Sequence, residues 1–491
     1  MSHRPGHRRL AASTIALGAA VIAVACVGRP WTPQEARGQK GAAGDFDRQE
    51  AKYDYDSGER GKATSVVVDL DRRYQVLDGF GAATAWYHDR IVGKTPDGLY
   101  ELLFPELGLD ILRLRNRWHR SEQNDNNLEV EVEIIERATK ALGHPPRVLL
   151  TSWSPPSSLK ANGAERCRSN PDCTLIKKKG AFVYEEFADY WAESLRDYRK
   201  RGIPVDFVSI QNEPDFTPPD WEGCRFTPAE SAEYPGYDRA LAAVHRKLQA
   251  LPDPPPLIGP ECIGVHYDKV ESYLAQLDQS LLYAVAHHLY EQGGDGVWDW
   301  RDPGPDSYAD ELRAVGIATQ KPRWQTEFAT DEDKGVEGGF ETAVLIDHVL
   351  VAEGGSAFVY WNLTWDGANG LVGMMGRRPR VRDQYYAVRH FARYTDPGWI
   401  RVGAWTPDDR LRSSAWLAPD GAALTVVLLN TTDTMLDVSL DPGAFTASSV
   451  QTYRTTFRPG KSERWRDLGA AGRDGVLRMP PRSVATIALT R

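Results

Sequence analysis

Between Gly79 and Leu363 the chain repeats one pattern eight times: a short apolar, β-branched run followed by a longer connector. The runs are Gly79–Ala85, Ile111–Trp118, Arg147–Trp153, Asp206–Asn212, Leu257–Glu261, Ala284–Tyr290, Arg323–Phe328 and Ala357–Leu363. Continuous apolar runs, rather than alternating ones, are what strands covered on both faces require. Two connectors, Tyr184–Arg201 and Pro228–Leu251, carry apolar residues at the three- and four-residue spacing of a helix. Eight strands alternating with helices predict an α/β fold, a (β/α)8 TIM barrel. A doubly wound sheet is a poorer fit. Its phosphate loop would have to be Gly79-x-Gly81, which lacks a third glycine and opens no clear helix.

The texture changes near Gly403. Short alternating segments such as Ser414–Trp416, Leu424–Asn430 and Val484–Leu489 are separated by Pro-Asp-Gly and Asp-Pro-Gly turns, which predicts a C-terminal β-sandwich side domain. A strand at Ser65–Leu70 lies outside the barrel count and is expected to join that domain. The expected boundaries are 64–76 for the N-terminal strand, 77–398 for the barrel and 399–491 for the sandwich. Residues 29–63, rich in Gly, Gln and charge, are expected to form a flexible linker. Residues 1–28 read as an export signal, a basic segment followed by an apolar stretch. Ala23-Val24-Ala25-Cys26 suits either an ordinary signal peptidase or lipidation at Cys26. The protein is therefore expected to be secreted, or anchored to the outer face of the membrane through a lipid.

Four further cysteines remain. Cys167 and Cys173 enclose a short polar loop and are expected to bridge, with Cys224–Cys262 as the second pair. Zinc is the weaker reading because no C-x-x-C pair is present. The net charge of −9 argues against a nucleic-acid partner, since phosphate binding needs clustered Lys and Arg. No metal or cofactor is expected, and the chain is expected to act as a monomer on an oligo- or polysaccharide.

Polar residues gather where the strands end, which on such a barrel is the active face. In order they are Arg113, Arg115 and Asn116; Trp153; Asn212 and Glu213; Glu261; His288 and Tyr290; Glu327; and Trp361. Glu213 and Glu327 follow the fourth and seventh runs. Paired carboxylates among indoles suit glycoside hydrolysis, which needs one protonated carboxyl and one ionised one. The 15 tryptophans, against 14 phenylalanines, fit a sugar-facing surface, and Trp86, Trp118, Trp153, Trp221, Trp361 and Trp365 all fall at or just past strand ends. His288 is expected in the site and His287, pointing the other way, in the core. Asp331-x-Asp333-x-Gly335 lacks the distal Glu of a calcium loop.

Leu77-Asp78-Gly79-Phe80-Gly81-Ala82-Ala83, Ser152-Trp153-Ser154-Pro155-Pro156, Ser209-Ile210-Gln211-Asn212-Glu213-Pro214-Asp215 and Trp324-Gln325-Thr326-Glu327-Phe328 together resemble glycoside hydrolase family 30, over roughly residues 64–491. The resemblance implies a retaining enzyme with Glu213 as acid/base and Glu327 as nucleophile. It implies Asn212 on the sugar 2-hydroxyl, Tyr290 near the nucleophile, Trp361 as a platform and Trp153 as another wall; Trp86, at a strand end, is a further substrate-binding candidate. One of Arg113 and Arg115 should orient the nucleophile. Asp215-Phe216 with Trp221-Glu222-Gly223-Cys224 looks most like the xylan-cleaving branch. Members selective for glucuronate-decorated xylan use basic and hydroxyl residues after the last barrel strand. Here Asn362–Gly370 has no Arg, and the next is Arg377, which argues against that selectivity. β-1,6-Glucan or galactan, or a glucoside or xyloside cut from a chain end, are the alternative substrates. A glycan-binding protein without turnover is the alternative from another class.

Overall fold

A computed structural model describes residues 44–48, 53–56, 60–86, 88–118, 128–290, 308–330, 334–365, 369–374, 378–470 and 475–491. The segment read as an export signal, with Cys26, and also Asp331, Asp333 and Arg377, lie outside them. All eight expected barrel strands are present: β1 Gly79–Ala83, β2 Ile111–Arg115, β3 Arg147–Thr151, β4 Phe207–Ser209, β5 Leu257–Cys262, β6 Leu282–His288, β7 Arg323–Glu327 and β8 Ala357–Tyr360. They pair in parallel and in sequence order, and β8 closes on β1.

Alternation along the strands sorts side chains between two cores. Ile111, Leu149, Phe207, Ile258, Trp324 and Val359 fill the barrel interior, while neighbours such as Leu112, Leu150, Val208 and Phe358 face the surrounding helices. At the strand starts the floor is closed by Asp78, which accepts from Trp324 Nε1 (2.8 Å) and Tyr283 Oη (2.7 Å). Tyr184–Lys200 is helical as expected. The connector read as Pro228–Leu251 becomes helical only at Tyr237 and ends at Leu248. Its first part, which contains Pro228 and Pro235, is held in turns, with Thr227 bridging Gly236.

The side domain is a nine-stranded sheet. Its N-terminal strand, Lys62–Val76, lies between Ile400–Trp405, antiparallel, and Leu436–Asp441, parallel. Val66, Leu424, Val426, Leu428, Val438 and Ile487 meet in one core, so the two halves of the sheet face each other as a sandwich. Their alternates Val427, Leu429 and Val484 join the core around the barrel. Two strands, Ala423–Asn430 and Ser483–Thr490, therefore serve both domains.

Two expectations are corrected. Parts of the linker are tied down: Asp47 exchanges backbone hydrogen bonds with Pro379 and Val381, Arg48 pairs with Glu106, and Tyr55 Oη donates to the Lys461 carbonyl at 2.7 Å. Phe46 and Tyr55, one aromatic in each piece, are buried. Cys167 and Cys173 are bridged, but Cys224 and Cys262 are separate buried thiols. Cys224 sits near Lys160, beside the bridged loop, while Cys262 ends a barrel strand among Asp215, Lys269 and Glu271.

Candidate active site

Strand alternation puts the two arginines inside. Ile111 points into the barrel, so Arg113 and Arg115 follow it on the same face, and both are fully buried. Their partners differ. Arg113 Nη1 donates to Glu327 Oε2 (2.5 Å), Nη2 donates to Asn212 Oδ1 (2.7 Å), and Nη2 lies 3.2 Å from Glu261 Oε1. Arg115 lies 3.5 Å from Glu222 and beneath the Trp86 ring. Of the two arginines, Arg113 is the one that meets Glu327.

The two expected carboxylates reach the same space by different local devices. Trp324 faces inward, so strict alternation would turn Glu327 outward. A register shift against β6 between Gln325 and Glu327 sets Glu327 opposite His288 instead. Glu213 follows β4 in the left-handed region, φ 46°, with its backbone N–H donating to the Glu261 carbonyl at 3.0 Å. His288 Nδ1 donates to Glu213 Oε1 at 3.0 Å. An oxygen of Glu213, an oxygen of Glu327 and a ring nitrogen of His288 lie within 4.8 Å of one another.

The electrostatics separate the groups. Burial pushes the Glu213 carboxyl up to about 7, with repulsion from Glu327 adding and the His288 hydrogen bond opposing. Burial alone would lower His288, but Glu327, Glu213 and Glu261 outweigh it and raise the imidazole to about 9. Burial alone would raise Glu261, but Arg113 and then His288 outweigh it and hold that carboxyl at about 2. The Glu213, His288 and Glu327 spacing would also admit a cation. His288 Nδ1 already meets Glu213 directly at 3.0 Å, a contact suited to proton sharing.

Indoles enclose this centre. Trp86, Trp153 and Trp361 lie 5.4–5.9 Å apart by ring centroid, and Trp365 extends the group 6.0 Å beyond Trp361. Arg113 sits under Trp153 at 4.5 Å, so the wall and the carboxylate anchor are one packed unit. Tyr290 is buried within the field of both Glu327 and Glu213. Trp118 and Trp221 stand apart from this group, paired with Tyr190 and Phe216.

Some of the network was not singled out from sequence. Gln211 Nε2 donates to the carbonyls of Trp153 and Asn212 and so ties two strand ends together. Glu222 accompanies Arg115. Glu261, visible among the strand-end residues but given no role, is fully buried between Arg113 and His288. His287 does point away from the site as expected, yet it is no apolar filler: Nε2 meets buried Glu353 at 2.9 Å.

No family model matches the chain. Glucuronoxylanase XynC of Bacillus subtilis is 24% identical over 454 residues, covering 87% of this chain and 92% of that protein. Among solved structures, the catalytic domain of xylanase C of family 30 from Talaromyces cellulolyticus superposes with a TM-score of 0.68 at 20% identity, covering 87% of this chain and all of that one. The endo-β-1,6-glucanase BT3312 superposes with a TM-score of 0.61 at 15% identity, over 87% of this chain and 94% of that one.

Proposed function

We propose that the chain, a glycoside hydrolase similar to family 30 enzymes, is an exported, retaining enzyme that cuts within β-1,4-xylan. The observation that carries the mechanism is the proximity of Glu213 and Glu327, with oxygens within 4.8 Å, Glu327 against Arg113 and Glu213 against His288. Retaining pairs stand about 5–5.5 Å apart, whereas inverting pairs leave about 6.5–9.5 Å for a water between them.

Glu327, paired with the Arg113 guanidinium, attacks the anomeric carbon. Glu213, still protonated near neutral pH, gives its proton to the leaving glycosidic oxygen. A covalent glycosyl-enzyme on Glu327 results. Glu213, now a base, takes a proton from water as that water attacks the same carbon, releasing the sugar with its original anomeric configuration. Arg113 occupies Asn212 Oδ1, which leaves the Asn212 amide N–H groups to donate to the sugar 2-hydroxyl. Trp361, Trp153 and Trp86 bound the bay in which that sugar would lie.

Relatedness to a xylanase over most of both chains supports xylan as the substrate class. The absence of Arg from Asn362–Gly370 supports action without a glucuronate side group. The export-like N-terminus supports action outside the cell, either free or anchored through Cys26. The test is release of products from plain xylan, glucuronoxylan, β-1,6-glucan and aryl β-xyloside and β-glucoside by wild type and Glu327→Gln. We expect a ladder of oligomers from both xylans, lost in Glu327→Gln by about 10⁴-fold or more. Monomer alone would point to chain-end action. Glycan binding without release from any substrate would contradict the enzymatic reading.

A further inference from the structure

Glu261 is a third carboxylate in a centre whose chemistry needs two. It is wholly shielded from solvent, so no sugar can reach it. Its position is nonetheless built with care. Ile258 faces the barrel interior and Cys262 faces the helices, and the register with β6 shifts between Pro260 and Cys262. Glu261 is the residue at that shift, in the left-handed region at φ 59°, where glycine would be at ease. The bulge aims its side chain at Arg113 (3.2 Å) and His288 (3.8 Å), and its carbonyl receives the Glu213 N–H. Each of those contacts leads to one of the outer glutamates, Arg113 to Glu327 and His288 to Glu213.

We propose that Glu261 is a positioning residue: a fixed buried anion that holds Arg113 against Glu327 and His288 against Glu213 without touching the substrate. The proposal rests on Glu213 and Glu327 being the reacting pair. Arg113, His288, Ser209 and the Tyr237 phenol face Glu261 from their own elements. His288 is faced in turn by Glu213, Glu327 and Glu261. With Arg113 and His288 cationic around the Glu261 carboxylate, the remaining proton stays on Glu213. Removing the Glu261 charge makes both Glu213 and His288 release protons more readily. The form that carries both protons then disappears at lower pH.

The experiment compares wild type with Glu261→Gln and Glu261→Asp by two readouts. One is the pH profile of kcat/KM on xylo-oligosaccharides. The other is the His288 imidazole titration by long-range proton–nitrogen NMR, assigned against His288→Gln, which needs no turnover. In Glu261→Gln we expect the alkaline limb and the His288 titration both to move acidward by about one pH unit. In Glu261→Asp, which keeps the charge, both should stay near wild type while kcat falls and KM holds. A folded Glu261→Gln with an unmoved limb and unmoved imidazole overturns the proposal. If Glu261→Gln does not fold, an Asp variant with wild-type kcat overturns it instead. A wild type that shows the expected His288 shift on Glu261→Gln yet hydrolyses no glycoside would sink the functional reading and leave the electrostatic one standing.

Discussion

Glu213 and Glu261 each occupy left-handed backbone that a β-carbon disfavours, at a cost of about 1–3 kcal/mol apiece. The Glu213 N–H to Glu261 carbonyl bond couples the two. Strain of this kind persists where surrounding contacts over-determine it, and here they aim two carboxylates into one buried centre. Because Glu213 is pushed up to about 7, the protonated acid is present below that pH and lost above it. We therefore predict an alkaline limb of kcat/KM near pH 7, measured on xylo-oligosaccharides. A Glu213→Gln variant should lose that limb, and it should lose far more activity on xylan than on an aryl glycoside whose leaving group needs little protonation. Arg113 is the other focal residue, because one guanidinium meets Glu327, Asn212 and Glu261 together. Lysine has no planar fork with which to do so. Arg113→Lys is expected to reduce kcat by about 10²-fold with a smaller change in KM, as for loss of transition-state positioning, and a rate near wild type would argue against the assignment.

At the scale of elements, much was legible. Barrel strands are buried on both faces, so each stands out as an apolar run, and all eight runs became strands. The motifs at their ends also fell on one face of the barrel. What could not be read depended on partners distant in sequence. The register shifts at Glu327 and Glu261 are properties of neighbouring strands, and strict alternation would have turned Glu327 away from the site. Glu261 was therefore visible as a strand-end acid without a role. Arg113 and Arg115, two residues apart on one inward face, could be told apart only by what lies opposite each. Cysteine spacing located the Cys167–Cys173 bridge, but the second pairing was reached by elimination, and spatial neighbourhood decides such pairs. Peptide mapping without reduction should find Cys167 linked to Cys173 and both Cys224 and Cys262 alkylated; a Cys224–Cys262 peptide would contradict the fold described. Loss of the short bridge through Cys173→Ser should lower stability by about 2 kcal/mol in chemical denaturation, on a chain-entropy account.

Over the whole molecule, the side sheet is a structural partner of the barrel. Val427, Leu429 and Val484 pack into the barrel's outer core, and His390, on the last helix Asp383–Ala392, is held between Thr486 (2.8 Å) and Thr455 (2.8 Å) of the sheet. The N-terminal strand Lys62–Val76 binds the start of the chain into the same sheet. Cutting the chain before residue 399 should therefore give no soluble barrel, and calorimetry of the full chain should show one unfolding transition, not two. A folded, active barrel without the sheet would contradict that coupling. The central claim, however, is chemical: Glu213 and Glu327 act as a retaining pair. Proton NMR of the first products released from xylan tests it most directly. The account predicts that the new reducing ends appear first as the β-anomer and only later mutarotate; an initial burst of the α-anomer would contradict it.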